Sequence, residues 1–291
     1  MDLMSRAVEQ MRLRRTTFVV RELPSPFDER HAPGSAGLHL VLSGYARFDD
    51  GQVERDLGPG DLLLLPQAPA HRIRSAPGSS AATRVLTGEL AFQAPDHPLL
   101  SVLPPAIHAP PALLARSPRC LQHLEQLAEE VQNPRDGTAA LATCLTEMLV
   151  IETMRFFTPP AGVECPVGGW FSGLSDPAVR SALGAIHRDP AAPWSVDSLA
   201  RLAGKSRSAF AAHFSAVMKE TPAAYLTRWR LFQARALLRQ TELSLEDVAL
   251  RVGYGSAAAF SLAFTREHGQ TPGNYRRAQR DDRTETSPSQ T

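Results

Sequence analysis

Two regimes of apolar spacing divide the chain. From residue 17 to about residue 100 the apolar positions fall in short runs closed by Gly, Pro and Asp. Leu38-His39-Leu40-Val41-Leu42 ends at Ser43-Gly44, and Tyr45-Ala46-Arg47-Phe48 alternates toward Asp49-Asp50-Gly51. Pro59-Gly60-Asp61 turns into the run Leu62–Leu65, which Pro66 closes; residues 71–75 and 83–92 extend the series. Short strands at even spacing predict a sandwich or a small barrel. Ahead of them, residues 1–15 read as an amphipathic helix.

After the Pro-rich stretch at residues 97–111 the period becomes helical. Residues 120–132 place Leu121, Leu124, Leu127 and Val131 on one face. Residues 138–157 are apolar on more than one face, through Leu141, Leu145, Met148, Leu149, Ile151, Met154 and Phe156. Such a helix either packs on the strands or forms a dimer interface. Residues 159–169 read as a linker. Ser175-Asp176-Pro177 predicts an N-cap with Pro in the first turn, starting a helix that runs to His187.

The last hundred residues carry one pattern twice. The first copy runs Ala200, Gly204, Phe210, Phe214, Thr221-Pro222, Tyr225; the second runs Ala249, Gly253, Phe260, Phe264, Thr271-Pro272, Tyr275. The spacing from Gly to the first Phe differs by one residue, and everything after it matches. An Ala packed before a Gly turn, then a helix with apolar residues at i and i+4, predicts two short helices crossing in a DNA-reading unit. Residues 223–238 between the copies predict one long, rigid helix. One turn of B-DNA is about 34 Å, so two units on such a helix suit successive major-groove segments.

Charge follows this division. Residues 1–175 hold 15 Arg, no Lys and 19 acids, a net −4; residues 176–291 hold 16 Arg plus Lys and 11 acids, a net +5. Only the second part is suited to a polyanion. No run spans a bilayer and no secretory leader pattern opens the chain. The three cysteines, Cys120, Cys144 and Cys165, lack metal-like spacing, and a reducing cytoplasm is expected.

Residues 176–280 resemble the AraC/XylS family of bacterial transcription regulators. The resemblance rests on Arg230-Leu231-x2-Ala234-x2-Leu237-Leu238, Val248-Ala249-x2-Val252-Gly253-Tyr254, Phe260-x3-Phe264 and Gly269-x-Thr271-Pro272. It implies a seven-helix domain with two helix-turn-helix units on a shared helix. By position it puts base-facing sites on Ser208, Ala211 and Ala212, and on Ala257, Ala258 and Leu262. Lys205, Arg207, Ser256 and Arg266 are candidate phosphate contacts, and Ser206, at the start of the same helix as Arg207, is a further DNA-binding candidate. Alanine cannot make the bidentate base contact open to Arg, so readout is expected to lean on phosphates and shape. His213 is expected near the exposed side of the first reading helix.

The strand-rich part resembles a cupin barrel of the kind that accompanies such regulators. Gly60-x5-Pro66-x-Ala68-x2-His71 is close to the second cupin motif, with Ala68 where Gly is usual. In metal cupins, paired His and a Glu from the first motif join a His from the second. Here the first motif keeps only His39, without the acid. His39 and His71 are therefore expected to line an effector pocket, with no metal and no cofactor. His31 and His97 are placed on loops, with no spacing that recommends them as ligands. Thr87-Gly88 lies where some relatives carry Cys-Gly, and this part of the chain has no cysteine, which argues against thiol sensing.

The expected fold is α+β. A cupin-like β-barrel at residues 1–100 is followed by a helical connector at 101–174, an all-α domain with two helix-turn-helix units at 175–280, and a disordered tail at 281–291. The expected function is transcription regulation: an unknown small-molecule effector controls binding to double-stranded promoter DNA. A homodimer is expected through residues 138–157, since two-fold symmetry multiplies DNA contacts. RNA polymerase is a further possible partner, and no membrane is expected. Two other readings stay open. One is a metal-dependent cupin enzyme with a DNA-binding appendage. The other is a degenerate helix-turn-helix module that binds a protein, for which the Ala-rich reading helices are the motive.

Overall fold

The computed structural model describes residues 2–33, 36–94, 97–158 and 169–285. The chain divides into two compact units: Met4–Thr158, and Pro159–Thr291 with Met1–Leu3. The expected linker at 159–169 lies outside the described residues except for Gly169.

The first unit opens with α1 (Leu3–Met11), whose Ala7 and Met11 are buried. The chain turns extended at Leu13, so this helix stops short of the Arg14-Arg15 end expected for it. Strands β1 (Leu13–Leu23), β2 (Asp28–His31), β3 (Ala36–Ser43), β4 (Ala46–Asp49), β5 (Glu54–Leu57), β6 (Leu62–Leu65), β7 (His71–Ser75) and β8 (Thr83–Phe92) follow. The short helix α2 (Pro98–Val102) and strand β9 (Ile107–Ala109) come next, then helices α3 (Pro111–Leu114), α4 (Pro118–Gln132) and α5 (Thr138–Phe156).

The strands form two antiparallel sheets, ordered β1-β8-β3-β6-β9 and β2-β7-β4-β5. Among the described residues no ladder joins them, so the expected closed barrel is instead a pair of sheets. Alternation explains the core they share: Val41, Leu63 and Leu65 from the first sheet meet Ala46, Phe48, Leu57 and Ile73 from the second. The polar neighbours of these residues on β4 and β7 tie the outer face together. Arg47 pairs with Asp56 at 2.6 Å and Arg74 with Glu54 at 2.5 Å. Strand β9 pairs with β6, so this sheet runs past the boundary expected at residue 100. Helix α5 packs on β1: Glu147 accepts from the Leu13 N–H at 3.1 Å, and the hydroxyls of Thr16 and Thr143 lie 2.8 Å apart.

The second unit is helical. It comprises α6 (Gly169–Ser175), α7 (Pro177–Arg188), α8 (Val196–Leu202), α9 (Arg207–Met218), α10 (Pro222–Gln240), α11 (Leu245–Arg251), α12 (Ala257–His268) and α13 (Pro272–Glu285). Helix α13 overruns the expected start of a disordered tail at 281, and residues 286–291 lie outside the described residues. Side-chain caps start these helices where Ser, Thr or Asp precedes them. Asp176 caps α7, Ser195 α8, Ser206 α9, Thr221 α10, Ser244 α11 and Ser256 α12. Among the described residues no helix is long and apolar enough to cross a membrane.

Candidate functional sites in the helical unit and between the sheets

The repeated sequence builds the same small structure twice. In α8–α9 the Lys205 N–H donates to the Ala200 carbonyl at 3.0 Å; in α11–α12 the Tyr254 N–H donates to Ala249 at 2.8 Å. Both bonds close a turn at a glycine with positive φ, +64° at Gly204 and +87° at Gly253. Each second helix then buries two phenylalanines completely. Phe210 and Phe214 lie 5.6 Å apart between ring centroids, as do Phe260 and Phe264. Each pair ends edge-on against a tyrosine: Phe214 on Tyr225 at 6.0 Å, and Phe264 on Tyr275 at 5.6 Å. An arginine from α10 covers each tyrosine, Arg228 over Tyr225 and Arg235 over Tyr275. Tyr254, the counterpart of Lys205, is half-buried beside Phe260 at 5.7 Å, and the extra residue of the second turn, Gly255, stands between it and the Ser256 cap.

Burying the phenylalanines fixes which side of each helix faces water. On α9 the exposed positions include Arg207, Ser208, Ala209, Ala212 and Ala216; on α12 they include Ala258, Ala259, Leu262 and Arg266. The repeat offset is 50 residues, so Ser208 matches Ala258, Ala212 matches Leu262 and Ala216 matches Arg266. Of the positions read from sequence as base-facing, Ser208, Ala212, Ala258 and Leu262 are exposed, with Leu262 75% so. Ala211 and Ala257 are half-buried, off the centre of that stripe. Ala209, Ala259 and Ala216 lie on the stripe, where the sequence pattern did not point to them. Alanine carries no chemical signal in a sequence, and only the position of the buried phenylalanines places it.

The candidate phosphate contacts differ in their surroundings. Lys205 is exposed beside the Gly204 turn. Ser206 and Ser256 accept the Ala209 and Ala259 N–H groups, at 3.3 and 3.2 Å, which leaves each hydroxyl proton available. Arg207 makes an exposed ion pair with Asp197 at 3.5 Å, a contact worth little in water. Arg266 is exposed in the last turn of α12. His213 departs from expectation. Its Nε2 lies 2.7 Å from Asp176 Oδ2, so the ring is turned to the α7 cap and away from the exposed stripe. Burial raises the Asp176 pKa, but the Val179 N–H and His213 outweigh it and hold the carboxyl below its usual value.

In the sheet unit, His39 on β3 reaches across to the other sheet. Its Nε2 lies 2.9 Å from His71 Nε2, and its Nδ1 lies 3.2 Å from Thr87 Oγ1 on the adjoining strand β8. His71 Nδ1 donates to the Pro69 carbonyl at 2.9 Å. His31 corrects its loop assignment: it ends β2, in direct register with His71, with the two rings stacked at 4.6 Å. His39 meets both rings nearly edge-on, at 4.9 and 5.0 Å. Burial pushes all three imidazoles toward the neutral form, His39 furthest, helped by its two imidazole neighbours. His97 stands elsewhere, capping α2 by accepting the Leu99 N–H. The expectation of no metal rested on two imidazoles; the fold supplies a third.

Comparison with known proteins agrees with both halves. Residues 2–157 match the family model described as Cupin, and residues 199–278 match the one described as Helix-turn-helix domain. A protein described as an AraC-like transcription regulator of Streptomyces lividans is 38% identical over 270 residues, spanning 84% of this chain and 88% of that one. The HTH-type transcriptional regulator AlkR of Acinetobacter baylyi is 33% identical over 268 residues, spanning 82% and 86%. The solved DNA-binding domain of AdpA in complex with a target DNA is similar at 32% identity and a TM-score of 0.36, over 38% of this chain and 98% of that one. The chain belongs to the AraC-type family of transcription regulators that carry an N-terminal cupin domain.

Proposed function

We propose that α9 and α12 each enter the major groove of promoter DNA, as the reading helices of two helix-turn-helix units held by α10. The observation that carries this is the structural repeat. Two helix pairs share one turn, one Phe–Phe–Tyr cluster and one cap pattern, and each leaves a helix face exposed. Lys205, Ser206, Arg207, Ser256 and Arg266 contact phosphates. Ser208, Ala212, Ala258 and Leu262 face base edges, with Ala211 and Ala257 at the margin. The net charge of +5 over residues 176–291 supplies the attraction.

The cupin domain acts as the sensor, with its effector held near His39 and His71. The protein is a regulator and not an enzyme, and it works in the cytoplasm as a homodimer. The dimer uses the face of α5 opposite β1, where Leu141 and Met148 are exposed one heptad apart. RNA polymerase is a partner in this reading once the promoter is occupied. Genome-wide footprinting of the full chain, with and without candidate effectors, tests it. Discrete effector-dependent sites are expected, and uniform non-specific binding would overturn it.

A further inference from the structure

We propose that His31, His39 and His71 together bind one divalent transition-metal ion of zinc's class. One nitrogen from each ring lies within 4.8 Å of the other two. With zinc–nitrogen distances of about 2.0–2.1 Å, two imidazole ligands of a tetrahedral ion stand about 3.3 Å apart. His39 Nε2 and His71 Nε2, 2.9 Å apart, are already near that span. The rings come from three strands in two sheets, and His31 and His71 are cross-strand partners, so the cluster is held by backbone pairing.

The hydrogen bonds behind the rings suit an ion. A carbonyl can only accept, so the bond to Pro69 puts the His71 proton on Nδ1 and leaves the Nε2 lone pair facing His39. Without an ion, the short contact between the two rings requires the His39 proton to sit on Nε2. Binding needs one tautomer change: that proton moves to Nδ1, and the Thr87 hydroxyl, 3.2 Å away, turns from donor to acceptor. No net proton is released. Carbonyl and hydroxyl partners of this kind fix ligating imidazoles.

The ligand set departs from the metal-cupin pattern. The first-motif acid is missing, and the third imidazole comes from β2, outside both motifs. Among the described residues no carboxylate or thiol joins the cluster. Three neutral nitrogens leave the ion's charge uncompensated and its fourth position for water or another small donor. Imidazole suits zinc, copper, nickel and cobalt better than magnesium or calcium.

The test uses the full chain, stripped with chelator and titrated with Co2+ as a visible probe, then with Zn2+. One Co2+ per chain is expected, with absorption bands of a nitrogen-bound ion that Zn2+ abolishes. His31→Ala changes a half-buried strand end and is expected to leave the fold intact, as read by circular dichroism, while weakening Co2+ binding at least tenfold. Thr87→Val removes the partner of His39 Nδ1 and is expected to weaken it about 10–100-fold. Folded wild-type protein that takes up no Co2+ overturns the proposal, as does affinity unchanged in both His31→Ala and His71→Gln. DNA binding is measured on the same samples. Protein that binds DNA without taking up Co2+ therefore defeats this proposal alone.

Discussion

The guanidinium of Arg230 closes over Gly253. From α10 it donates to the Pro190 carbonyl at 2.8 Å and the Ala192 carbonyl at 2.9 Å, which pins the loop before α8 against the turn between α11 and α12. A Cβ on Gly253 would stand 2.7 Å from Arg230 Cζ and 2.9 Å from Ala191 Cα. Gly204, its counterpart in the first copy, has nothing within 4 Å. One sequence motif thus carries two different steric burdens.

Gly204→Ala and Gly253→Ala should therefore separate. Both put alanine at positive φ, a strain of about 1–2 kcal/mol. Only Gly253→Ala also displaces Arg230 and presses on backbone, and overpacking adds about 1–3 kcal/mol. Thermal melts of the full chain are expected to show the larger drop for Gly253→Ala, with loss of DNA binding. Gly253→Val is expected to abolish binding while the sheet unit stays folded. Adding Arg230→Ala recovers part of the loss at most, since Ala191 remains in the way. Equal melting shifts for the two alanine variants would contradict this account.

DNA binding should fall steeply with salt. Removing a single phosphate-binding side chain lowers the slope of log K against log salt by about one. Among the described residues Arg207 is held only by an exposed pair with Asp197, so exchanging that partner for a phosphate costs little. Arg207→Ala is expected to reduce the slope by about one with sequence preference unchanged. An unchanged slope would place Arg207 off the DNA.

Much of this arrangement was legible in the sequence because periodicity and caps act locally. The Ser175-Asp176-Pro177 start, the long helix between the copies and the paired phenylalanines all follow from short-range rules, and the fold keeps them. His31 was not legible. Its strand, Asp28-Glu29-Arg30-His31, has no apolar alternation, and only register with β7 brings the ring onto His71. The split into two sheets was also hidden, because spacing predicts strands without saying which edges pair. His213 had the right helix and the wrong side: its orientation is set by Asp176, 37 residues away.

Asp176 should make the helical unit sensitive to acid. Its folded pKa is lowered, with the Val179 N–H and His213 outweighing burial. The unfolded chain therefore takes up the proton first as pH falls. The stabilisation is complete above the ordinary carboxylate value and is lost as pH drops through the folded one. Asp176→Ala is expected to cost about 1 kcal/mol at neutral pH through the lost cap. Its melting temperature should then change less than the wild type's below about pH 4. Parallel pH profiles for the two proteins would show that the carboxylate contributes nothing.

On the proposed function, α9 and α12 should contribute unequally to sequence preference. Around the start of α9, Lys205, Arg207 and Ser208 are exposed; the exposed side of α12 offers Ala258, Ala259 and Leu262 before Arg266 in its last turn. Hydrogen-bonded readout needs polar groups, and a good bidentate contact is worth about 1–3 kcal/mol of discrimination. Alanine and leucine cannot make one, but Leu262 can pack on a thymine methyl. Selection of binding sites from random duplexes is expected to yield more information under α9 than under α12. A single thymine preference under α12 should relax in Leu262→Ser. Scrambling the α9 half-site should cost more affinity than scrambling the other. Equal information in both halves, or a guanine-rich preference under α12 that makes Arg266 a base reader instead of a phosphate contact, would overturn this account.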